Sequence, residues 1–204
     1  MKIRFLNSLN KSYLILFVSV LVAFIAGFST SYYFQDPIWE CHACSFGSGE
    51  IIPLVNNQYH SAVLESINSA TESISIMLYE FLPYTTNNSV TQVRDALISA
   101  HKRGVNIRII LDQSVYRGRV TDLTKSNIKT MALLKEAGLN VKLDSEKTTT
   151  HSKIMIVDDK EVFVGSSNWG YSAFERNNEA NVLIRNNEAV EYYQNYFDYV
   201  WAKS

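Results

Sequence analysis

His151 and Lys153 stand two residues apart at the head of the stretch HSKIMIVDDKEVFVGSSNWG. In an extended strand, alternate side chains share a face, so the imidazole and the ammonium point the same way. The apolar run IMIV follows, and Asp158 closes it in a DDK turn. The chain then returns through VFV to Gly165, Ser166, Ser167 and Asn168. A hairpin would bring Ser166 and Asn168 back to the end that carries His151. Small residues there let a ligand approach the backbone closely. An imidazole, an ammonium, an amide and a hydroxyl on one face suit a phosphate group. Lys153 and Asn168 would hold the non-bridging oxygens, and His151 would attack phosphorus or move a proton. Taken singly, each residue has a plain alternative. A strand-start histidine or lysine is ordinarily solvated, Asp158 and Asn168 are ordinary turn formers, and Glu179 is an ordinary surface acid before a strand. The joint spacing H-x-K-x4-D-x6-G-S-x-N is what lifts the group above that background.

The elements around the stretch alternate in period. Helical stripes occupy NQYHSAVLESINSATES, SVTQVRDALISAHKRG, KSNIKTMALLKEAG and EAVEYYQNYFDYVW. Strand patterns occupy ISIMLYEF, VNIRIILD, NVKLD, HSKIMIVD, EVFVGS and EANVLIR. Ser89 or Thr91 is the expected N-cap of the second helix, with Gly104 and Gly138 closing the second and third. Strands separated by helices, followed by hairpin-like strands, predict an α/β sandwich with a mixed central sheet over residues 51–204.

Ahead of that domain, residues 1–35 end in SYLILFVSVLVAFIAGFSTSYYFQ, long enough to span a bilayer. Lys2, Arg4 and Lys11 precede this run and no acid occurs before Asp36. The positive-inside rule puts the N-terminus in the cytoplasm and the domain outside, as a single-pass anchor of the cell membrane. A cleaved signal peptide is the competing reading, and would leave a secreted or periplasmic domain. Residues 36–50 form a linker with Cys41 and Cys44 in C-x-x-C spacing. A disulfide is the first reading, a metal site completed awkwardly by His42 and a distant His60 the second, and a haem site the last. Net charge is −1, and all 20 acids but only 16 of the 19 bases lie beyond the apolar run, so no general basic field invites a polyanion.

The spacing from His151 to Asn168 resembles the HKD signature of the phospholipase D superfamily. AVLESINSATESISIMLYEF, ALISAHKRGVNIRIILD and NNEANVLI are similar to segments of its short, single-motif branch, which includes a bacterial endonuclease and a mitochondrial cardiolipin hydrolase. The resemblance implies a metal-independent phosphodiesterase that needs no cofactor and forms a covalent phosphohistidine. It makes His151 nucleophile or general acid, and Lys153, Ser166 and Asn168 the phosphate-binding residues. Asp158 becomes a supporting acid and Glu179 the carboxylate that orients the imidazole. Such a site is built from two motifs, and the chain holds one, since His42, His60 and His101 begin no H-x-K. The expectation is a two-fold homodimer with His151 from both copies in one site. Phospholipid is the first-ranked substrate, supported by the anchor and by Trp169 and Tyr171 beside the motif, although such aromatics more often simply pack, with the loop LPYTTNNSVTQ shaping the entrance. Nucleic acid is the alternative, supported by Arg117, Arg119, Lys125 and Lys129 along one rim. A membrane-tethered binding module without turnover is the reading from another class.

Overall fold

A computed structural model describes residues 49–116 and 118–204. The anchor or signal segment, the Cys41–Cys44 pair, His42 and Arg117 lie outside the described residues. Among the described residues no helix is long and apolar enough to cross a membrane.

Seven strands form one mixed sheet: β1 (Glu50–Val55), β2 (Ser73–Leu78), β3 (Asn106–Leu111), β6 (Asn140–Leu143), β7 (Lys153–Val157), β8 (Glu161–Gly165) and β9 (Ala180–Arg185), in the order β1-β9-β8-β7-β2-β3-β6. A small hairpin, β4 (Val115–Tyr116) with β5 (Arg119–Val120), stands apart from it. β2, β3 and β6 run parallel, whereas β7, β8, β9 and β1 join antiparallel. The helices are α1 (Asn57–Ser69), α2 (Ser89–Lys102), α3 (Asp122–Glu136), the short α4 (Tyr171–Glu175) and α5 (Asn187–Lys203).

The central strands read as unbroken apolar runs because both of their faces are covered. Ile74, Ile76 and Leu78 of β2 join Ile107, Ile109, Met155 and Val157 in a core shared with α1 and α2. Met77, Ile110, Ile154 and Ile156 face the other way, against Val190 and Phe197 of α5. The mixed α/β sandwich expected from the pattern is therefore observed.

Three details differ from expectation. β1 escaped the pattern reading because Pro53 interrupts it; it is an edge strand, where a missing N–H is tolerated. α2 is capped by Asn88, one residue before Ser89. Its side chain accepts from the N–H groups of Val90 (2.9 Å) and Thr91 (3.0 Å), while the Thr91 hydroxyl accepts from the Asn88 N–H (2.8 Å). α3 starts at Asp122, where the Thr121 hydroxyl caps the Thr124 N–H (3.1 Å).

α3 also turns the usual helix pattern around. Thr124, Asn127 and Thr130 are its buried residues together with Leu134, while Ile128 and Leu133 are exposed. The buried polar side chains seize loop backbone. Asn127 accepts from the Phe81 N–H (3.1 Å) and donates to the carbonyls of Tyr79 (2.8 Å) and Asp112 (3.0 Å). Thr130 donates to the Phe81 carbonyl (2.5 Å), and Thr124 donates to the Ser114 carbonyl (2.9 Å) and accepts its N–H (2.9 Å).

Candidate active site

The site lies at the ends of β2, β3 and β6 and the start of β7, the side on which open α/β sheets bind ligands. His151 is exposed two residues before β7. The expected shared face of His151 and Lys153 is observed: the Lys153 ammonium lies 3.4 Å from His151 Nδ1 and donates to the His151 carbonyl (2.8 Å). The Tyr79 ring packs 4.5 Å from the imidazole and lies 5.0 Å from the ammonium. The Tyr79 N–H donates to the Ser152 carbonyl (2.9 Å), so the end of β2 braces the imidazole through both backbone and ring.

Lys153 is 6% exposed. Burial lowers its pKa, and the carboxylates of Glu179, Glu80 and Asp112 oppose that shift. Glu80 is raised by its own burial and lowered by Lys153. Asp112 is raised chiefly by burial, against hydrogen bonds from Ser114 and Thr150, and Asp144 and His151 act on it in opposite senses. Three carboxylates thus favour the charged form of this buried lysine.

The hairpin returns the small-residue loop as expected. The turn residues Asp158 and Asp159 have φ of 52° and 51°, the left-handed pair of a type I′ turn. At the far end, Asn181 clamps the loop, accepting from the Ser167 N–H (3.1 Å) and donating to the Ser167 hydroxyl (2.9 Å). Gly165 is obligatory beneath that clamp, since a Cβ there would fall 2.0 Å from Asn181 Oδ1. Asn168 Oδ1 is buried without a hydrogen-bond partner; as an acceptor it cannot hold a phosphate oxygen, so any phosphate contact of this side chain falls to Nδ2.

Ser166 and Glu179 pair with each other, the hydroxyl donating to Oε2, and Asn177 donates to Oε1 (2.9 Å). Neither hydrogen bond of the Glu179 carboxylate reaches His151, so the orienting bond implied by the resemblance is not made within one chain.

Asp158 is placed elsewhere. Seven residues at about 3.3 Å each put it some 20 Å from His151, at the opposite end of β7. Its Oδ2 accepts from the Thr71 N–H (2.9 Å) and hydroxyl (3.0 Å), and its Oδ1 from the N–H groups of Glu72 (2.8 Å) and Ser73 (2.9 Å). Burial pushes this carboxyl up, but the donors outweigh it and hold it below the usual range. It ties the turn to the start of β2.

Trp169 also corrects an expectation. It is fully buried, edge-on to Phe81 (5.0 Å), and its Nε1 donates to the Tyr59 hydroxyl (3.2 Å). It is core and cannot meet a headgroup. Tyr171 packs against the same core, with the Arg176 guanidinium 5.0 Å from its ring. Arg119, Lys125 and Lys129 are exposed, on β5 and successive turns of α3, and Lys125 pairs with Asp122 (2.8 Å).

Sequence reasoning missed Tyr79, Glu80, Asp112, Asp144 and Asn181. One signal was available: Asp112 is an acid at the carboxyl end of an apolar parallel strand. Among the described residues no group of three or more His, Cys, Asp or Glu is arranged to hold a metal ion.

A mixed α/β sandwich that sets a histidine, a buried lysine and a Gly-Ser-Ser-Asn loop at one sheet end defines a phospholipase D-like domain. The family model described as "Cardiolipin synthase, PLD-like domain" matches residues 63–201, and the chain belongs to that family. The chain is 33% identical over 136 residues to a phospholipase D of Rickettsia prowazekii, covering 66% of this chain and 59% of that one. It is 29% identical over 143 residues to the mouse mitochondrial cardiolipin hydrolase, covering 70% of this chain and 58% of that one. The match thus spans less than two thirds of either relative. The crystal structure of Nuc from Salmonella typhimurium, a phospholipase D family member, superposes with a TM-score of 0.63 at 27% identity, covering 76% of this chain and 95% of that one.

Proposed function

We propose that the chain is a metal-independent phosphodiesterase that works through a covalent phosphohistidine. The observation that carries this is the convergence of exposed His151, buried Lys153 and the Ser166–Asn168 loop at one sheet end. The His151 imidazole attacks phosphorus, an N–P bond forms, and the P–O bond to the leaving alcohol breaks. The departing oxygen needs a proton, and the later water must lose one. Among the described residues no second imidazole lies beside His151, so a second copy of the chain supplies it in a two-fold dimer. Lys153 and Asn168 bind the phosphate oxygens, and Ser166 and Glu179 line the same pocket.

A phospholipid is the favoured substrate, supported by the likeness to proteins named phospholipase D and cardiolipin hydrolase. The apolar N-terminal run would hold the domain at a membrane, outside the cytoplasm. An exported endonuclease is the second reading, favoured by exposed Arg119, Lys125 and Lys129.

The test is turnover of bis(p-nitrophenyl) phosphate in EDTA, then of phospholipid vesicles, DNA and RNA. Wild type is expected to act in EDTA and His151→Ala to be inactive with an unchanged melting temperature. Loss of activity in EDTA overturns the phosphohistidine reading. Inactivity on every substrate leaves the binding module. A monomer with full activity at every concentration refutes the shared site.

A further inference from the structure

Two buried carboxylates meet at the residue before His151. Asp112 closes β3 and is 0% exposed; Asp144 closes the neighbouring β6 and is 5% exposed. Asp112 Oδ1 accepts from the Thr150 N–H (2.7 Å), and its Oδ2 accepts from the Ser114 hydroxyl (2.5 Å). Asp144 Oδ2 accepts from the Thr150 hydroxyl, and its Oδ1 from the Ser145 N–H (2.6 Å). Neither carboxylate has a salt-bridge partner among the described residues. Burying two acids side by side is costly, so the arrangement calls for a return beyond stability.

The chain path supplies it. The β6–β7 connection is exposed from Glu146 to Thr149 and leads directly into His151, which precedes the strand ladder of β7. An exposed connection is mobile unless its ends are tied. Asp144 ties both ends to each other, through Ser145 and Thr150. Asp112 ties the exit to the sheet. Ser152, on the other side of His151, is held by the Tyr79 N–H. The main chain that carries the imidazole is therefore gripped immediately before and immediately after His151.

We propose that Asp112 and Asp144 are positioning residues that act through Thr150 to hold the His151 imidazole at its attack angle. They isolate it from the loop that precedes it. The proposal rests on the phosphodiesterase reading for its kinetic arm and on the geometry alone for its other arm.

The hydroxyl arm is separable by substitution. Thr150→Ser keeps the bond to Asp144; Thr150→Val keeps the shape and removes it. Misplacing a reacting group by a fraction of an ångström costs about tenfold in kcat, so Thr150→Val is expected to lose about that much with KM within about twofold. Thr150→Ser is expected within about twofold of wild type. Imidazole NMR of His151 supplies the second readout: one sharp signal set in wild type and Thr150→Ser, and exchange-broadened signals in Thr150→Val. If wild type proves inactive on phosphodiesters, the phosphodiesterase reading falls and the imidazole signals still decide the clamp. Equal kcat and identical imidazole signals in Thr150→Val and Thr150→Ser overturn the proposal, even where Thr150→Val melts lower. Should Thr150→Val fail to fold, Asp144→Asn is measured by the same two readouts, with the same outcomes expected and the same result overturning the clamp.

Discussion

Replacing Asp158 by asparagine exchanges one carboxylate oxygen for an NH2 group and keeps a residue that tolerates the φ of 52°. The native carboxylate accepts four hydrogen bonds, two on each oxygen. With the amide oxygen kept toward Glu72 and Ser73, the new NH2 faces the Thr71 N–H. The Thr71 hydroxyl can turn to accept, but the Thr71 N–H loses its partner, and the bonds that survive lose their charge assistance. A charge-assisted bond contributes about 1.5–3 kcal/mol when buried and less at this half-exposed site, so a total loss of about 2 kcal/mol is expected. For a domain of this size that lowers Tm by about 4–8 °C. The pH dependence has a definite sign. The folded carboxyl is held below its unfolded range, so its contribution is complete above about pH 4 and fades as pH falls further. The gap between wild type and Asp158→Asn should therefore be widest near neutrality and shrink in acid, as read by thermal melts across pH. Turnover per folded molecule should stay within about twofold of wild type, because Asp158 is some 20 Å from His151. A hundredfold fall in kcat with an unchanged Tm would refute the reasoning and return Asp158 to the chemistry.

Gly165→Ala forces a methyl group against Asn181 and should cost about 2–4 kcal/mol, seen in urea denaturation, together with most of the activity as the Ser167 clamp opens. Asn168→Asp replaces the Nδ2 donor proposed to meet phosphate with an anion; KM for an anionic phosphodiester should rise about tenfold or more, as steady-state kinetics would show. His60 is lowered by burial, with the Ser89 carbonyl (3.0 Å) and Glu175 opposing. The folded state thus prefers the neutral ring, and stability is complete above about pH 6.5 and declines as pH falls below it. Melts of wild type and His60→Gln between about pH 5 and 7.5 should show that slope only in wild type.

The half of the site carried by one hairpin was legible because its geometry is local. Two strands and a tight turn convert the spacing of His151, Lys153, Ser166 and Asn168 into proximity without reference to the rest of the chain. Asp112 and Asp144 were not legible in the same way. Asp112 reaches Thr150 across 38 residues, through the parallel register that aligns Leu111 with Leu143. Nothing in a single sequence states that register. Asn127 was hidden for a different reason: its helix buries a polar face, which periodicity alone assigns to solvent. Asp158 carries the converse lesson. It belongs to the same spacing as His151, but the rise of a strand carries it to the other end of the sheet, and membership of a motif does not imply membership of a site. Trp169 had two readings in the sequence, a headgroup contact and plain packing, and its burial against Phe81 decides for packing.

The inward polar face of α3 has a consequence for variation. Asn127, Thr124 and Thr130 hold Tyr79, Phe81, Asp112 and Ser114 by their main-chain atoms alone. Every residue type except proline offers those atoms, so this frame makes no demand on the half-buried side chain of Glu80, whereas Tyr79, Phe81 and Asp112 are held to type by the imidazole, the core and Thr150. Glu80 is the acid that faces Lys153. That position can change, by drift or by design, without loosening the scaffold that presents it. Within such a frame, the acid beside Lys153 is exchangeable, while the placement of His151 is not.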